Sequence, residues 1–591
     1  MKKRKGAALI LAVTLSSLLL LTAFALTVNA ISDVKLTNND KIKTEIELAC
    51  FSGIKRAKAK IENSFNNNAL IVLEPNVTFQ GSSKDDTDLT PGAKAFNDET
   101  FTLGHNLDYY SFTYHSNISN KDITVMYGIF EQKNWTKSQN YTTYEMNVES
   151  IAYIPDYGWV GMQQTVDAKR TTLFMYQVFF QNDLEILPGP DFTLKGLIHT
   201  NQDLYLNANS TLKIYTDSMT SAGNAHRGRF DSTDVTGTVQ ISKGNANGSL
   251  TTMTAGQDST NKNWQNIATN NWAGTLRDKS LGATTLAAPN LGSFGKNGYY
   301  ANEADLNISV NAKGKTLSTT TYNITLNGAT QTYTSTQLGG ALKEVQIYDK
   351  REFSSKQIQV TKVDIASLSN ILGTPENGLV YMTRDDAVAD SDNNLYTPDS
   401  KRVVSGFEMT NGSVLNSATT FVTDLPVYVK GDFNLHTNSD PSTDTWQPCA
   451  VIADAITLLS NSWVDSKSST TQTASNSTYN FVFITGNVPT KPGQYSGGLE
   501  NFPRFLENWS GKSANISGGF MQLFRSQYAT GLWNGSYYSP PTRNWGAESR
   551  FSNLQDLPPD YANLFPSTNL GITYSEWEKI DKESSLLEDE I

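Results

Sequence analysis

KKRKGAALILAVTLSSLLLLTAFALTVNA, residues 2–30, sets the architecture of this 591-residue chain. Lys2, Lys3, Arg4 and Lys5 precede Gly6, and an uncharged run follows from Ala7 to Ser32. Cations held on one side and an apolar run able to enter the bilayer predict a segment that delivers the rest of the chain across a bacterial inner membrane. At 1.5 Å per residue, Ala7 to Val28 makes a helix of about 33 Å, against a hydrocarbon core of about 30 Å. An ordinary signal-peptide core is about 7–15 residues long. Two processing schemes follow. Cleavage between Gly6 and Ala7 keeps the helix, whereas cleavage after Ala30, behind the small-x-small triplet Val28-Asn29-Ala30, releases a soluble head. The length of the run favours the retained helix.

Beyond a polar hinge expected at Thr37 to Asp40, the apolar residues Ile42, Ile46, Cys50, Ile54, Ala57, Ile61 and Phe65 recur at intervals of three and four. Lys43, Glu45, Glu47, Lys55, Arg56, Lys58, Lys60 and Glu62 stand between them, so one helical face is apolar and the remainder wet. The pattern predicts helix packing on a globular partner through Ile42, Ile46, Cys50, Ile54, Ile61 and Phe65, with Leu11 in the apolar core of the first half.

The segment KKRKGAALIL (2–11) resembles the prepilin leader and first helical turns of type IV pilins and type II secretion pseudopilins, and most of all the PilX-like minor pilins. That resemblance implies cleavage by a prepilin peptidase between Gly6 and Ala7, assembly with other pilin or pseudopilin subunits, and an extracytoplasmic head on a single inner-membrane pass that reaches a pilus or cell surface after assembly. Major pilins of that kind carry a glutamate at the fifth mature position, where this chain has Leu11. The departure implies a place at a tip or in an initiating complex. GLIHTNQDLYLN (196–207), with the late blocks at 495–518 and 529–545, is similar to large uncharacterised pilus-assembly proteins with PilX-like amino termini. That second likeness implies an assembly context and no catalytic residues.

Only 18% of residues are charged, Tyr and Phe number 26 each, and the net charge of -11 argues against nucleic acid as a partner. The length predicts several domains. After a leader at 1–6 and a stem helix at 7–65, alternating segments at 69–79, 109–116, 123–130 and 172–181 predict an antiparallel β domain over 66–185. Short apolar alternations broken by Asn and Gly predict parallel β-solenoid coils over 186–261 and again over 425–570. A mixed β elaboration at 262–424 joins them, with strand KEVQIYD (343–349) and helix KVDIASLSNIL (362–372), and 571–591 is an acidic tail. The fold class is therefore mainly β, with an N-terminal transmembrane and amphipathic helix. A Lys-Gly pair followed shortly by His-Thr-Asn occurs at Lys195 to Asn201 and at Lys430 to Asn438, an echo of two.

Catalysis is not expected. Asp432, Asp454, Glu500, Arg504 and Glu507 are the candidate acids and base of a polysaccharide-cleaving solenoid, with Glu500, Arg504 and Glu507 sharing a face if their segment is helical. His105, His115, His199, His226 and His436 make no metal or nucleophile motif, and His199 and His436 suit structural hydrogen bonds within similar turns. The acidic loops at Asp85, Asp86, Asp88 and at Asp390, Asp392, Asn394 lack the full spacing of a calcium loop, Leu395 standing where the turn wants glycine, so neither cofactor nor metal is expected. Cys50 and Cys449 are better explained as buried thiols than as a disulfide. Trp446, Trp463, Trp509, Trp533 and Trp545 are candidate recognition residues for a glycan or protein ligand if exposed, and stacking groups between coils if buried. The expected role is a minor pilin or pseudopilin with a recognition or adhesive head; the alternative is a secreted or anchored β-solenoid that binds or cleaves polysaccharide.

Overall fold

The first 64 described residues form one helix, Lys3–Asn66, in a computed structural model that describes residues 3–66, 109–116, 118–131, 136–137, 142–171, 173–232, 234–286, 288–289, 291–353, 357–391, 398–440, 443–467, 471–552, 556–559 and 568–580. No hinge interrupts the helix at Thr37 to Asp40. Thr37 Oγ1 donates to the Asp33 carbonyl (2.8 Å) and Thr44 Oγ1 to that of Asp40 (2.9 Å), so the polar side chains bond back onto their own helix. With no proline in the segment to remove a backbone bond, the polar stretch changes the helix's surface without breaking it. The expected strand at 69–79 and the Asp85 loop lie outside the described residues.

Two compact units divide the chain. In the first, the second half of the stem helix packs on a seven-stranded sheet ordered Tyr109–Ser116, Lys121–Glu131, Thr142–Ile154, Gly158–Thr171 and Thr568–Tyr574, with Thr136–Lys137 and Glu578–Ile580 on its flanks. Ile42, Ile46, Cys50, Ile54 and Ala57 are buried against Ile123, Val125, Val148, Ala152 and Val166. The side chains of Ile61 and Phe65 lie outside the described set. The segment read as an acidic tail instead supplies strands to this sheet, and Glu578–Ile580 pairs antiparallel with Gly158–Thr171. Trp577 meets Phe51 of the helix at 6.5 Å between ring centroids, and Lys579 Nζ reaches Glu47 at 2.5 Å.

The helix comes closest to the sheet at Gly53. A Cβ there would collide with Ser150 Oγ and stand 3.0 Å from both Ser150 Cβ and Val125 Cγ1. Cys50 Sγ, one turn earlier, donates to the Ser150 carbonyl at 3.0 Å.

The second unit is a parallel β-solenoid whose coils share one twelve-stranded sheet. Its first coil is Tyr176–Phe180, Leu184–Ile186 and Phe192–Lys195, and the second is Leu197–Thr200, Leu204–Leu206 and Thr211–Tyr215. Leu184 aligns with Leu204, and Leu204 with Ala225, so along this column the first coils take 20 and 21 residues. Inward residues stack in columns such as Phe192, Leu212 and Val239, all fully or nearly fully buried. This arm ends at Leu276–Arg277, where helix Trp264–Trp272 buries both its tryptophans in the core.

The chain then reverses its order of assembly. Leu306–Asn311, Leu379–Arg384, Thr419–Val422, Cys449–Ala453, Val482–Asn487 and Phe520–Arg525 add to the same sheet in sequence. The last pairs in parallel with the very first strand: Phe520 with Val178, Met521 with Phe179, Gln522 with Phe180. The first arm thus winds outward from a seam and the second winds back to it. Residues 262–424 are not a separate elaboration, because Leu306–Asn311, Ile358–Asp364, Leu379–Arg384, Ser405–Thr410 and Thr419–Val422 are strands of the second arm. The strand expected within 343–349 is Leu342–Ile347, and the helix expected at 362–372 is Ile365–Leu372, its N-cap Asp364 accepting from Ser367 N–H. Likewise Tyr176–Phe180 belongs to the solenoid rather than to the antiparallel sheet.

The middle of the long sheet is apolar on both faces. Its outer face, including Phe179, Tyr381, Ile452, Ile484 and Met521, is covered by Phe294 and Tyr300 from the crossover between the arms and by Phe551 and Leu557 after the last coil. Two covered faces explain why its middle strands, such as Cys449–Ala453, read as continuous apolar runs instead of alternating ones.

Replacing Gly53 by alanine removes a poor helix former, which on an exposed helix would stabilise by about 1 kcal/mol. Here we expect a net loss of about 1–3 kcal/mol in thermal unfolding, because the added methyl overpacks the junction. The double variant Gly53→Ala/Ser150→Ala should recover part of the loss, and an additive pair would refute the contact.

Candidate functional site on the exposed half of the stem helix

Every described side chain from Ala12 to Lys41 is exposed. Leu20 is 73% and Leu26 70% exposed, although an isolated soluble domain would bury such residues. Four hydroxyls in the apolar part of this stretch bond back onto their own helix. Ser16, Ser17, Thr22 and Thr27 donate to the carbonyls of Ala12, Val13, Leu18 and Ala23, at 2.6, 2.9, 3.0 and 2.7 Å. Each hydroxyl is thereby satisfied within the helix, the condition that a hydrocarbon surrounding imposes. From Ala12 to Ser32 the helix covers about 31 Å before Asp33 and Lys35 begin the polar part. It is the one helix among the described residues long and apolar enough to cross a membrane. Gly6, Ala7 and Leu11 lie in the helical backbone, and their side chains are outside the described set.

The tryptophans expected as a recognition row do not form one. Trp446, Trp463, Trp509 and Trp545 are at most 5% exposed, and Trp533 is half-buried. Trp545 packs edge-on to Phe192 (5.3 Å) and against Phe520 (4.9 Å), so it stacks within the solenoid. Sequence counts aromatics but does not reveal which face of a coil they occupy.

The candidate acids are likewise consumed locally. Residues 499–507 are not helical but a 3-10 turn, Leu499–Asn501, followed by strand Arg504–Phe505. Asp454 accepts from the backbone N–H groups of Tyr528 (3.1 Å) and Ala529 (2.7 Å) as well as Gln527. Glu507 accepts from Ser460 N–H and Oγ, both at 2.7 Å, Glu500 from Leu187 N–H at 3.1 Å, and Asp432 from Thr478 N–H at 2.8 Å. Arg504 pairs with Glu352 at 2.5 Å. The carboxylates hold loops onto strands where a catalytic pair would face a groove.

His199 and His436, alike in local sequence, sit in opposite surroundings. His199 is buried on the long sheet, hydrogen-bonded to Thr220 Oγ1 (2.6 Å) and Asn201 Oδ1 (2.9 Å), and burial pushes its pKa down to about 4. His436 lies in the loop after Val427–Lys430, stacked on Trp446, with Glu548 Oε2 at 2.9 Å and Asp444 Oδ2 at 2.6 Å. The bond to Glu548, then that to Asp444, raises its pKa above the ordinary value. Burial pushes the Asp444 carboxyl up, but hydrogen bonds from His436 and from the Thr437 and Asn438 N–H groups prevail and hold it well below the carboxylate range. Arg550 adds a third contact to Asp444 at 2.6 Å. Together these groups fasten the segment after the last coil onto the loop at 436–446.

Cys50 and Cys449 are buried and unpaired, and burial pushes the Cys50 thiol up to about 12. Among the described residues no cluster of acids, histidines and cysteines could hold a metal ion, and Asp392, Asn394 and Leu395 lie outside them.

No protein-family model matches the chain, and no curated protein sequence does. Among solved structures it is similar to the competence-associated pilin ComZ from Thermus thermophilus, at 10% identity over 91% of this chain and 97% of that one, with a TM-score of 0.26. A TM-score that low carries no argument about a shared fold.

The His436 cluster sets a pH dependence. A raised folded-state pKa gives stability that is complete below the unfolded value of about 6.5 and is lost as pH rises through the folded value. We expect the melting-temperature difference between the native chain and His436→Gln to be largest near pH 6 and to shrink toward pH 8. A difference that stays constant with pH would show that the ring is held for its shape alone.

Proposed function

We propose that this chain is a membrane-inserted, pilin-like subunit whose large β head is carried on the stem helix. The observation that supports this reading is the division of one unbroken helix, Lys3–Asn66, into an exposed apolar half and a half buried on a sheet. The first half has the length of a membrane span, and the hydroxyls of Ser16, Ser17, Thr22 and Thr27 are satisfied within it. The second half docks through Ile42, Ile46, Cys50 and Ile54, so the anchor and the first globular unit are one rigid piece. The basic leader ending at Gly6 fits processing by a prepilin peptidase in a type IV pilus or type II secretion pathway. With Leu11 where a filament-body subunit has its glutamate, we assign the chain to a tip or initiating position, as a minor pilin of the PilX-like kind with other pilin subunits as partners. We further propose that the head is structural and recognitive rather than enzymatic.

Mass spectrometry of the mature amino terminus, from cells with and without prepilin peptidase, tests the reading. A chain beginning at Ala7 only when the peptidase is present is the expected result, and Gly6→Leu should abolish that cleavage while leaving the protein in the membrane fraction. A start at Ile31 would refute the filament role and leave a released solenoid, and an uncleaved chain would leave a plain membrane anchor.

A further inference from the structure

The seam between the two solenoid arms encloses a cavity of about 120 Å³, lined by residues of both: Asp183 and Glu185 from the first coil, Asn487, Arg504 and Arg525 from the last ones, and Arg351 from the turn after Leu342–Ile347. One water needs about 10–15 Å³ of such space, so this volume admits several waters or one monosaccharide.

Arg351 is the group that asks for a ligand. It is 8% exposed, and its Nε donates to the Gly531 carbonyl at 3.0 Å. Among the described residues its two Nη atoms have no hydrogen bond and it has no ion-pair partner, in contrast to Arg402 and Arg504, which share Glu352 at 2.9 and 2.5 Å. A buried guanidinium with no carboxylate in ion-pair contact is costly, although the charges of Glu352 and Asp349 act on it from beyond that range. Burial, and then the charge of Arg504, lower the Arg351 pKa to about 9. Arg525, exposed at the edge of the same cavity, likewise has no side-chain partner among the described residues. Asn487 Oδ1 is buried without a hydrogen bond.

The remaining wall narrows the chemistry. Phe180, Phe230 and Phe502 present apolar ring surface. Asp183 accepts from Asp203 N–H through Oδ1 (3.0 Å), and Glu185 from Phe230 N–H (3.1 Å) and Thr490 Oγ1 (2.5 Å). Burial raises both carboxyls, Glu185 to about 7. Acids sharing a lining with guanidinium groups disfavour a compact dianion such as phosphate and suit a single negative charge carried on a hydroxyl-rich ring. Arginine grips such a carboxylate through two parallel N–H bonds, and aromatic faces cover the apolar side of a sugar ring.

We propose that this seam cavity is a binding site for a carboxylated sugar residue, with Arg351 as the buried anchor for the carboxylate, Arg525 as the cation at the entrance, and Asn487 and Asp183 as partners of the ring hydroxyls. The site is independent of how the stem helix is processed. Because it is assembled from the first coil and the last, it exists only when the two arms are joined.

Isothermal titration calorimetry of the detergent-solubilised full chain with D-glucuronate, D-glucose and inorganic phosphate tests it. Saturable heat with glucuronate, and at least about tenfold weaker binding of glucose and phosphate, is the expected result. Arg351→Met, which keeps much of the volume and removes the charge, should weaken glucuronate binding by about tenfold or more while still unfolding cooperatively, the lost bond to the Gly531 carbonyl lowering its melting temperature only modestly. Should that variant fail to fold, Arg525→Gln at the exposed entrance decides, with an expected loss of about threefold to tenfold. Equal binding of glucuronate and glucose, phosphate binding as tight as glucuronate, or no heat with a folded native chain would each overturn the proposal.

Discussion

The parallel pairing of Phe520–Arg525 with Tyr176–Phe180 is the joint on which the head depends. An open solenoid end exposes a row of unsatisfied backbone donors and acceptors, and two separate arms would have four such ends. Joining the last strand of the second arm to the first strand of the first arm removes two of them. The remaining ends are managed by other means: helix Trp264–Trp272 packs at one, and an antiparallel hairpin, Thr321–Leu326 with Ala329–Thr334, extends the sheet at the other. The hairpin turn, Asn327-Gly328, has φ values of 48° and 81°, the left-handed conformations that asparagine and glycine tolerate best.

That joint is a contact between residues some 340 positions apart, as the bond from Asn182 N–H to Gln522 Oε1 illustrates. Ordering so much chain before such a pairing forms is entropically expensive. The structure offsets this with a doubly buried sheet, where Ile452, Ile484 and Met521 are fully buried beneath Phe294, Tyr300 and Phe551. Buried carboxylates serve the same end in the loops. Glu352 bridges Arg402, Arg504 and Gly531 N–H, and Asp454 collects the N–H groups at 527–529. The acids that a sequence reader would assign to catalysis are thus the ones whose charge the backbone most needs.

Much of the stem was legible because its signals are local. The uncharged run to Ser32 and the spacing of Ile42, Ile46, Cys50 and Ile54 each specify a helical surface without reference to distant residues, and the helix carries those surfaces where they were expected. Less was legible in the head. Short alternations at 192–223 pointed to coils; at 379–384 the rhythm was obscured because a strand buried on both faces loses its alternation, whereas Leu306–Asn311 keeps its alternation and is too short to be told from an ordinary strand by pattern alone. The His-Thr-Asn echo misled, since His199 lies within a strand and His436 in a loop, and a tripeptide cannot encode that difference.

From the sequence alone came the existence of a membrane-length apolar helix, the docking face beyond it and a mainly β head with coil-like segments, because hydrophobic periodicity is a property of neighbours along the chain. The tertiary structure alone decided that the helix runs unbroken through its polar stretch, that the segment 568–580 returns to the first sheet, that Trp446, Trp463, Trp509 and Trp545 are buried, and that the two arms meet head to tail around a cavity lined by an arginine without an ion pair. Those features depend on which distant surfaces bury one another, a choice made by the free energy of the whole fold and written in no single stretch of residues.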